Sequence, residues 1–272
     1  VSPSVPTVSR TMTATNDRMP FTQHLEELRK RMIVCAIAVA VGFLISYAFK
    51  ESIFEILMKP WVEALPKGQS AKLIYTAPHE AFFTYLKVSL IAGFGLAVPV
   101  ILFEFWRFIA PGLYENEKRY LIPVVFFSSF FFLGGALFGY FIVFPVGFQF
   151  FTSFATEYIT PMVSTKEFLT FSTRLLLAFG FVFELPIFAF FLAKLGLISS
   201  AFLRRQRRVA IVVIFIVAAA LTPGPDVFSQ ILMAVPLLIL YEISIWIVHF
   251  AARKESALEP TEQKPAASDA GK

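Results

Sequence analysis

The stretch MIVCAIAVAVGFLISYAF, Met32–Phe49, is 18 residues long and carries no charged side chain. A transmembrane α-helix needs about 20 mostly apolar residues to cross the hydrocarbon core of a bilayer. Similar stretches recur along the 272-residue chain, which is 57% hydrophobic and 16% charged. Soluble domains are about 45–50% apolar and about 25% charged. The sequence therefore predicts an all-α integral membrane protein.

Six transmembrane helices are predicted from these stretches. Residues 120–156 contain no charge, and we interpret them as one long span that Pro145 kinks. The last two spans are short and are joined by the turn Thr222–Asp226, so they form a hairpin that favours local thinning of the bilayer. The predicted spans are residues 32–49, 82–109, 121–151, 170–195, 209–222 and 227–249.

These spans define a membrane domain over residues 21–250, with a polar tail on each side. Residues 1–20 are rich in Ser, Thr and Pro, and residues 251–272 are polar with two prolines. Such compositions cannot bury enough apolar surface to fold, so both tails are predicted to be disordered. A cleavable signal peptide is not expected, because the first apolar run is long and lacks a clear small-residue cleavage site.

The positions of lysine and arginine predict the orientation. If the amino terminus lies inside, the inner segments hold 17 of the 24 Lys and Arg residues and the outer segments hold 7. Cytoplasmic loops of membrane proteins carry an excess of these residues. The sequence therefore predicts that both termini are cytoplasmic, with Arg204–Arg208 as the strongest anchor.

One carboxylate, Glu184, lies in the middle of the predicted fourth span. An ionisable group at the bilayer centre costs at least about 2.5–3.5 kcal/mol on insertion scales, which makes it a functional residue by default. The alternative is a structural hydrogen bond between helices, for which Gln149 and Thr152 are candidate partners. Glu104 and Glu242 lie nearer to span ends, where they can reach the interface.

Two segments on the predicted inner face carry carboxylates beside basic residues. Phe21–Met32 has one apolar helical face, and Glu27 precedes Arg31 by one helical turn, which favours an ion pair. This pattern is typical of an interfacial amphipathic helix, and it also suits an element that presents carboxylates to a basic ligand. The loop at residues 108–120 places Glu117 beside two basic residues, and its acidic side chains would suit a cationic ligand.

Motifs for catalysis and metal binding are missing from the sequence. There is one cysteine, Cys35, and the three histidines lie in separate segments. We find no nucleotide-binding loop and no metal-ligand spacing. The sequence therefore predicts no cofactor, no metal and no enzymatic activity. The net charge of +5 is explained by membrane topology and contact with lipid headgroups rather than by binding of nucleic acid. From the residues alone, a receptor and a secondary carrier with Glu184 as its proton site are equally supported.

Five local motifs, taken together, resemble the TatC family, the receptor subunit of the twin-arginine translocase. The similarity runs from His24 to about Phe250, although the turn before Asp226 contains a Gly that some members lack, and Glu104 lies where others can have an amide. The motifs are HLEELRKR at His24–Arg31, FEFWRFIAPGLY at Phe103–Tyr114, EKR at Glu117–Arg119, FELP at Phe183–Pro186 and LTPGPDVFSQ at Leu221–Gln230.

The resemblance implies a receptor and core scaffold in the bacterial cytoplasmic (inner) membrane. Such a receptor binds the twin-arginine signal peptides of folded proteins at its cytoplasmic face and organises single-span subunits of TatA type and TatB type. The proton-motive force drives transport, and no nucleotide is hydrolysed. Membrane lipids and further copies of the chain are expected partners, and nucleic acid is not.

The resemblance also implies the residues of a signal-peptide site. Glu27 and Glu117 match the two glutamates that recognise the arginine pair, and Phe108 matches an aromatic position of the same patch. His24 and Arg29 flank Glu27 in the first motif and complete the predicted site.

Other positions implied by the resemblance lie away from that site. Glu184 matches the intramembrane polar position associated with partner helices, and we group Gln149 with it. Pro60 and Asp226 match positions in or near the outside face.

Overall fold

The computed structural model of the chain describes residues 21–65, 72–109, 121–156, 158–222 and 226–256. These residues form α-helices and no β-strand, which confirms the predicted all-α class. The predicted tail at 1–20 lies outside the described residues, as do residues 257–272 of the second tail. Residues 251–256 continue the last helix past the predicted boundary at residue 250.

The described residues contain ten α-helices and one π-helical turn. Helix bounds are α1 Phe21–Ala48, α2 Lys50–Ala64, α3 Glu80–Ile109, α4 Leu121–Phe138, the π turn Gly139–Val143, α5 Phe144–Thr152, α6 Thr165–Phe183, α7 Leu185–Lys194, α8 Ser200–Arg205, α9 Arg207–Leu221 and α10 Val227–Ser256.

Within the part of the chain that the structure describes, five helical segments are long and apolar enough to cross a membrane. They are Leu25–Ala48, Glu80–Ile109, Ile122–Thr152, Thr165–Lys194 and Val227–Ala251, and each corresponds to one of the predicted spans. Helix α9 has 15 residues, which is about 22 Å at 1.5 Å per residue. The span predicted there is shorter than the hydrocarbon core and stays a prediction, as does the orientation of the bundle.

The third segment is one continuous rod made of α4, the π turn and α5. Pro145 stands in the first turn of α5, directly after the π turn Gly139–Val143. Proline has no N–H to donate, and its ring clashes with the carbonyl four residues earlier. A wider π turn relieves that clash without ending the helix. The proline therefore distorts the long span locally, at the turn that precedes it.

Helices α1 and α3 touch through their backbones at Gly42 and Gly93. A Cβ atom added to Gly42 would lie 2.4 Å from the Gly93 carbonyl oxygen, and one added to Gly93 would lie 2.4 Å from the Phe43 nitrogen. Small residues allow membrane helices to approach this closely. Arg31 precedes Gly42 by as many residues as Glu104 follows Gly93, so the antiparallel contact brings these two charged residues to the same level.

The bundle has two ends, which we name by their carboxylates. The Glu27 end consists of the first turns of α1 and the last turns of α3 and α7, and the Glu80 end consists of α2 and the first turns of α3 and α6. Glu80 accepts hydrogen bonds from the backbone N–H groups of Thr76, at 2.9 Å, and Lys166, at 2.8 Å. It thereby joins the segment before α3 to the start of α6.

Aromatic side chains fill the core between the helices. Phe144, Phe148 and Phe168 are at most 5% exposed and contact one another through their rings towards the Glu80 end. Nearer to the Glu27 end, the fully buried Trp106 packs on Phe191, with ring centroids 4.6 Å apart. Many other large apolar side chains are exposed on the outside of the bundle, as expected for a surface that faces lipid.

The substitution Gly93→Ala should lower the thermal stability of the chain in detergent. The added methyl group meets backbone atoms that move only if a helix shifts, and overpacking of this kind costs about 1–3 kcal/mol. Thermal unfolding followed by size-exclusion chromatography measures the effect. Gly95→Ala is the matched control, because nothing lies within 4 Å of a Cβ atom there. An unfolding midpoint for Gly93→Ala that equals or exceeds the control would contradict the importance of the contact.

Candidate functional site

Three charged side chains meet at the Glu27 end, where α1 packs on α3. Arg31 Nη1 donates a hydrogen bond of 3.0 Å to Glu104 Oε2, and Arg31 Nη2 pairs with Glu27 Oε1. The pair within α1 has the spacing of one helical turn, which the sequence showed. The pair with Glu104 joins two helices and depends on the contact between them. One guanidinium therefore bridges two carboxylates.

The members of this cluster differ in how far water reaches them. The side chains of Arg31 and Glu104 are 12% and 10% exposed, whereas that of Glu27 is 26% exposed. Arg107 Nη1 lies 3.9 Å from Glu104 Oε1, and its side chain is mostly in solvent. The Nε atom of Arg31 is buried without a hydrogen-bond partner among the described residues. Glu27 is therefore the carboxylate of this cluster that a ligand reaches most easily.

The other residues of the predicted signal-peptide site surround the cluster to different degrees. Phe108 lies half-buried in the last turn of α3, at the level of Glu27 in the register that Gly42 and Gly93 define. Arg29 is exposed on α1, and His24 belongs to the first turn of the same helix. Glu117 lies outside the described residues, so its place in the site stays a prediction.

Glu184 lies inside the bundle, at the junction between α6 and α7. Pro186 stands in the first turn of α7, so the span is divided into two helices at Glu184. The residue is 2% exposed, and neither carboxyl oxygen has a hydrogen-bond partner of normal geometry among the described residues. The Ser128 hydroxyl is its polar neighbour, and this hydroxyl accepts a hydrogen bond of 3.0 Å from the indole N–H of Trp106.

The structure does not bring Gln149 or Thr152 to Glu184. Thr152 donates to the backbone, with Ala64 O at 3.0 Å among its acceptors, and Gln149 is exposed on α5. Ser128 and Gln149 lie on the same rod, roughly 30 Å apart at about 1.5 Å per residue. The predicted pairing of Gln149 with Glu184 is therefore wrong. Glu184 lies beside Ser128, and Gln149 is at the other end of the same rod.

Pro60 and Asp226 both lie near the Glu80 end. Pro60 is buried inside α2 next to Trp61, whose ring contacts Phe148 at a centroid distance of 5.4 Å. Asp226 caps α10, since its Oδ1 accepts the Ser229 N–H at 2.6 Å. The burial of Pro60 and the hydrogen bond of Asp226 therefore give both side chains a structural place at this end of the bundle.

The sequence predicted no functional role for Glu104 or Glu242, yet both form ion pairs between helices. Glu242 Oε2 accepts from Arg207 Nη2 at 2.6 Å, and about half of each side chain is exposed. Glu104 is the buried partner of Arg31. In the sequence Glu104 stands out as a carboxylate near the end of an apolar span. Its partner Arg31 is 73 residues away, so spacing along one helix could not predict the pair.

The described residues contain no group of three or more His, Cys, Asp and Glu side chains placed to hold a metal ion. The chemistry that the Glu27 end does display is the binding of a guanidinium by carboxylates. Such pairs are stronger than neutral hydrogen bonds and have directional geometry.

Comparison with protein families gives one consistent result. The family model TatC, Sec-independent protein translocase protein, matches residues 23–236. The TatC protein of Desulforapulum autotrophicum is 55% identical over 234 residues, which cover 86% of each chain. The TatC protein of Magnetococcus marinus is 44% identical over 253 residues, which cover 93% of this chain and 92% of the relative.

Solved structures agree with the sequence relatives. A crystal structure of the twin-arginine translocase receptor TatC matches with a TM-score of 0.75 and 43% sequence identity, and the match covers 85% of this chain and 100% of that chain. A crystal structure of the same receptor in the detergent DDM matches with a TM-score of 0.74 and 41% identity, over 83% of this chain and 99% of that chain.

Proposed function

The chain belongs to the TatC family of Sec-independent protein translocase proteins, and we propose that it binds the twin-arginine signal peptides of folded proteins at its Glu27 end. As a family member it is a membrane component of the twin-arginine translocation system. The observation that carries the proposal is the Arg31 guanidinium, held between the carboxylates of Glu27 and Glu104. The Glu27 end already binds the group that a signal arginine presents.

Two arginines in the signal call for two carboxylates. Guanidinium groups pair with carboxylates through two parallel hydrogen bonds, a geometry that lysine cannot reproduce. Glu27 provides one carboxylate on α1, and Glu117 provides the second from the segment between α3 and α4. Partly exposed pairs of this kind contribute about 1 kcal/mol or less each, so further contacts must add affinity.

Those further contacts are apolar. Phe108 lies in the same patch, and a groove between α1 and α3 begins at Cys35, one turn beyond Arg31. Residues that line this groove include Val39, Phe43 and Leu90. The apolar segment that follows the arginine pair in a signal peptide fits along this face.

The Glu27 end faces the cytoplasm, and both termini lie there. Among the described residues, lysines and arginines are more numerous at this end than at the Glu80 end, with Arg204–Arg208 as the densest group, which supports the orientation. The short helix α9 is the fifth of the six spans and draws the bilayer inward, since a span shorter than the hydrocarbon core is accommodated by local thinning. The membrane is the bacterial cytoplasmic membrane.

Glu184 organises the TatA-type and TatB-type subunits. Its carboxyl group is buried and lacks a hydrogen-bond partner of normal geometry among the described residues, so a partner helix that offers a donor relieves an unsatisfied polar group. In this role the chain is the scaffold of an assembly driven by the proton-motive force. Membership of the family favours this reading over a carrier with Glu184 as its proton site.

We expect Glu27→Gln and Glu117→Gln each to weaken binding of a synthetic twin-arginine signal peptide to the purified full-length chain. The loss should be up to about fivefold, because one partly exposed ion pair contributes about 1 kcal/mol or less. Fluorescence anisotropy of the labelled peptide in detergent measures the affinity.

Two controls accompany this measurement. A Lys-Lys version of the peptide should bind the wild-type chain more weakly than the Arg-Arg version. Glu26→Gln should bind normally, because Glu26 is the neighbouring glutamate, is 64% exposed and pairs with Lys30. Equal affinity for the two peptides, or equal losses in Glu26→Gln and Glu27→Gln, would count against the site.

We expect Glu184→Ala to insert and fold normally but to retain less TatA-type and TatB-type subunit during co-purification. The substitution removes a buried carboxyl that a partner helix would contact, and it leaves the Glu27 end unchanged. Ser129→Ala is the control, since Ser129 donates to the carbonyl of Val125 in its own helix. Normal recovery of both partner subunits with Glu184→Ala would show that the carboxyl is structural.

A reporter fused after Arg253 should be active on the cytoplasmic side of the membrane. The same reporter placed after Lys72, which precedes α3 at the Glu80 end, should be active on the outer side. Paired fusions that report through fluorescence inside and through phosphatase activity outside measure the orientation. An outer location after Arg253 would contradict the proposed topology.

A further inference from the structure

The Glu27 carboxylate is already occupied in this structure, and its occupant is an arginine of the same chain. Arg31 Nη2 pairs with Glu27 Oε1 while Arg31 Nη1 holds Glu104 Oε2 at 3.0 Å. A signal arginine and Arg31 present the same guanidinium group to the same carboxylate. They therefore compete for it, because the Glu27 oxygen that pairs with Arg31 Nη2 is not free to complete a bidentate pair with a second guanidinium.

We propose that Arg31 acts as an internal stand-in for a signal arginine, and that Glu104 receives Arg31 when the signal binds Glu27. This inference rests on the proposed function and deepens it. Glu27 and Glu104 have separate tasks in it: the first reads the incoming arginine, and the second keeps the displaced arginine paired. Arg31 and Glu104 are thus positioning residues that set the affinity of the Glu27 carboxylate.

The geometry makes this exchange inexpensive. Arg31 contacts its two carboxylates through different nitrogen atoms, so it can release Glu27 without leaving Glu104. Its Nε atom is buried and has no hydrogen-bond partner among the described residues. Once Nη2 leaves Glu27, a small rotation that turns Nη2 towards Glu104 would let Nη1 and Nη2 together form a bidentate pair with that carboxylate. The charge of Arg31 then stays compensated while Glu27 becomes available.

Glu104 is needed because Arg31 must keep a carboxylate partner when it releases Glu27. Arg31 is 12% exposed, and a buried guanidinium that loses its carboxylate is left with an uncompensated charge, which is strongly unfavourable. Without Glu104, release of Glu27 would leave Arg31 in that condition, so Arg31 would hold Glu27 more tightly. The backbone contact at Gly42 and Gly93 keeps α1 and α3 close enough for Glu104 to serve as the second partner.

The neighbouring pair on α1 shows what an ordinary surface pair looks like. Lys30 Nζ lies 2.9 Å from Glu26 Oε1, and the two side chains are 73% and 64% exposed. It has the same spacing as Glu27 and Arg31. Removal of both charges there also leaves the net charge unchanged. This pair is therefore a matched control for the buried one.

The test compares two variants whose expected effects have opposite signs. In Glu104→Gln, Arg31 has lost its second carboxylate, so a twin-arginine peptide should bind about two- to fivefold more weakly than to the wild-type chain. In the double variant Arg31→Gln with Glu104→Gln, Glu27 is vacant and the local net charge is unchanged. The same peptide should bind about two- to fivefold more tightly.

The controls separate this inference from the function on which it rests. Discrimination between the Arg-Arg and Lys-Lys peptides by the wild-type chain tests the receptor function alone. The double variant Glu26→Gln with Lys30→Gln should bind as the wild-type chain does. A purely structural role of Arg31 predicts weaker binding in both test variants. Weaker or unchanged binding in the Arg31 double variant, or unchanged or tighter binding in Glu104→Gln, would overturn the proposal. If the double variant does not fold, Arg31→Lys takes its place, because lysine keeps the charge but lacks the fork that holds Glu27; tighter binding of the twin-arginine peptide supports the proposal, and weaker or unchanged binding overturns it.

Discussion

The backbone contact between Gly42 and Gly93 is the constraint on which the arrangement at the Glu27 end depends. In lipid the hydrophobic effect does not drive helices together, so close packing and polar contacts must stabilise the bundle. Two glycines at one crossing allow α1 and α3 to touch, and a Cβ atom on either would overlap the opposite backbone. The same contact sets the antiparallel register. Arg31 and Glu104 lie level with each other because they are equally far from this crossing.

The two polar centres of the bundle differ in how they satisfy their charges. At the Glu27 end the Arg31 guanidinium compensates two carboxylates, of which Glu104 is 10% exposed and Glu27 is 26% exposed. Glu184 lies deeper, beside Ser128, whose hydroxyl accepts the indole N–H of Trp106. A carboxyl in such surroundings requires a hydrogen-bond donor or a proton. The bundle therefore combines a partly exposed charged cluster at one end with a buried carboxyl in its interior.

Much of the fold could be predicted because span length and apolar content are local properties. Five apolar segments, including the unbroken rod that contains Pro145, became helices long enough to cross a membrane. The site could be predicted in part, since Glu27 and Arg31 have the spacing of one helical turn. The partner of Glu184 could not be predicted. Gln149 has a side chain that could hydrogen-bond a carboxyl group, but the helix rise places it far from Glu184. Ser128 lies beside Glu184 instead.

By itself the sequence determined that this protein lies in a lipid bilayer and which family it resembles. Its apolar runs are too long and too numerous for a water-soluble core, and its motifs resemble those of one receptor family. Only the tertiary structure decided which charges meet between helices. Arg31 and Glu104 are 73 residues apart, and they form a pair because a crossing of two glycines fixes the separation and register of their helices. Hydropathy is a property of single segments, whereas an ion pair between helices depends on distances that packing alone defines.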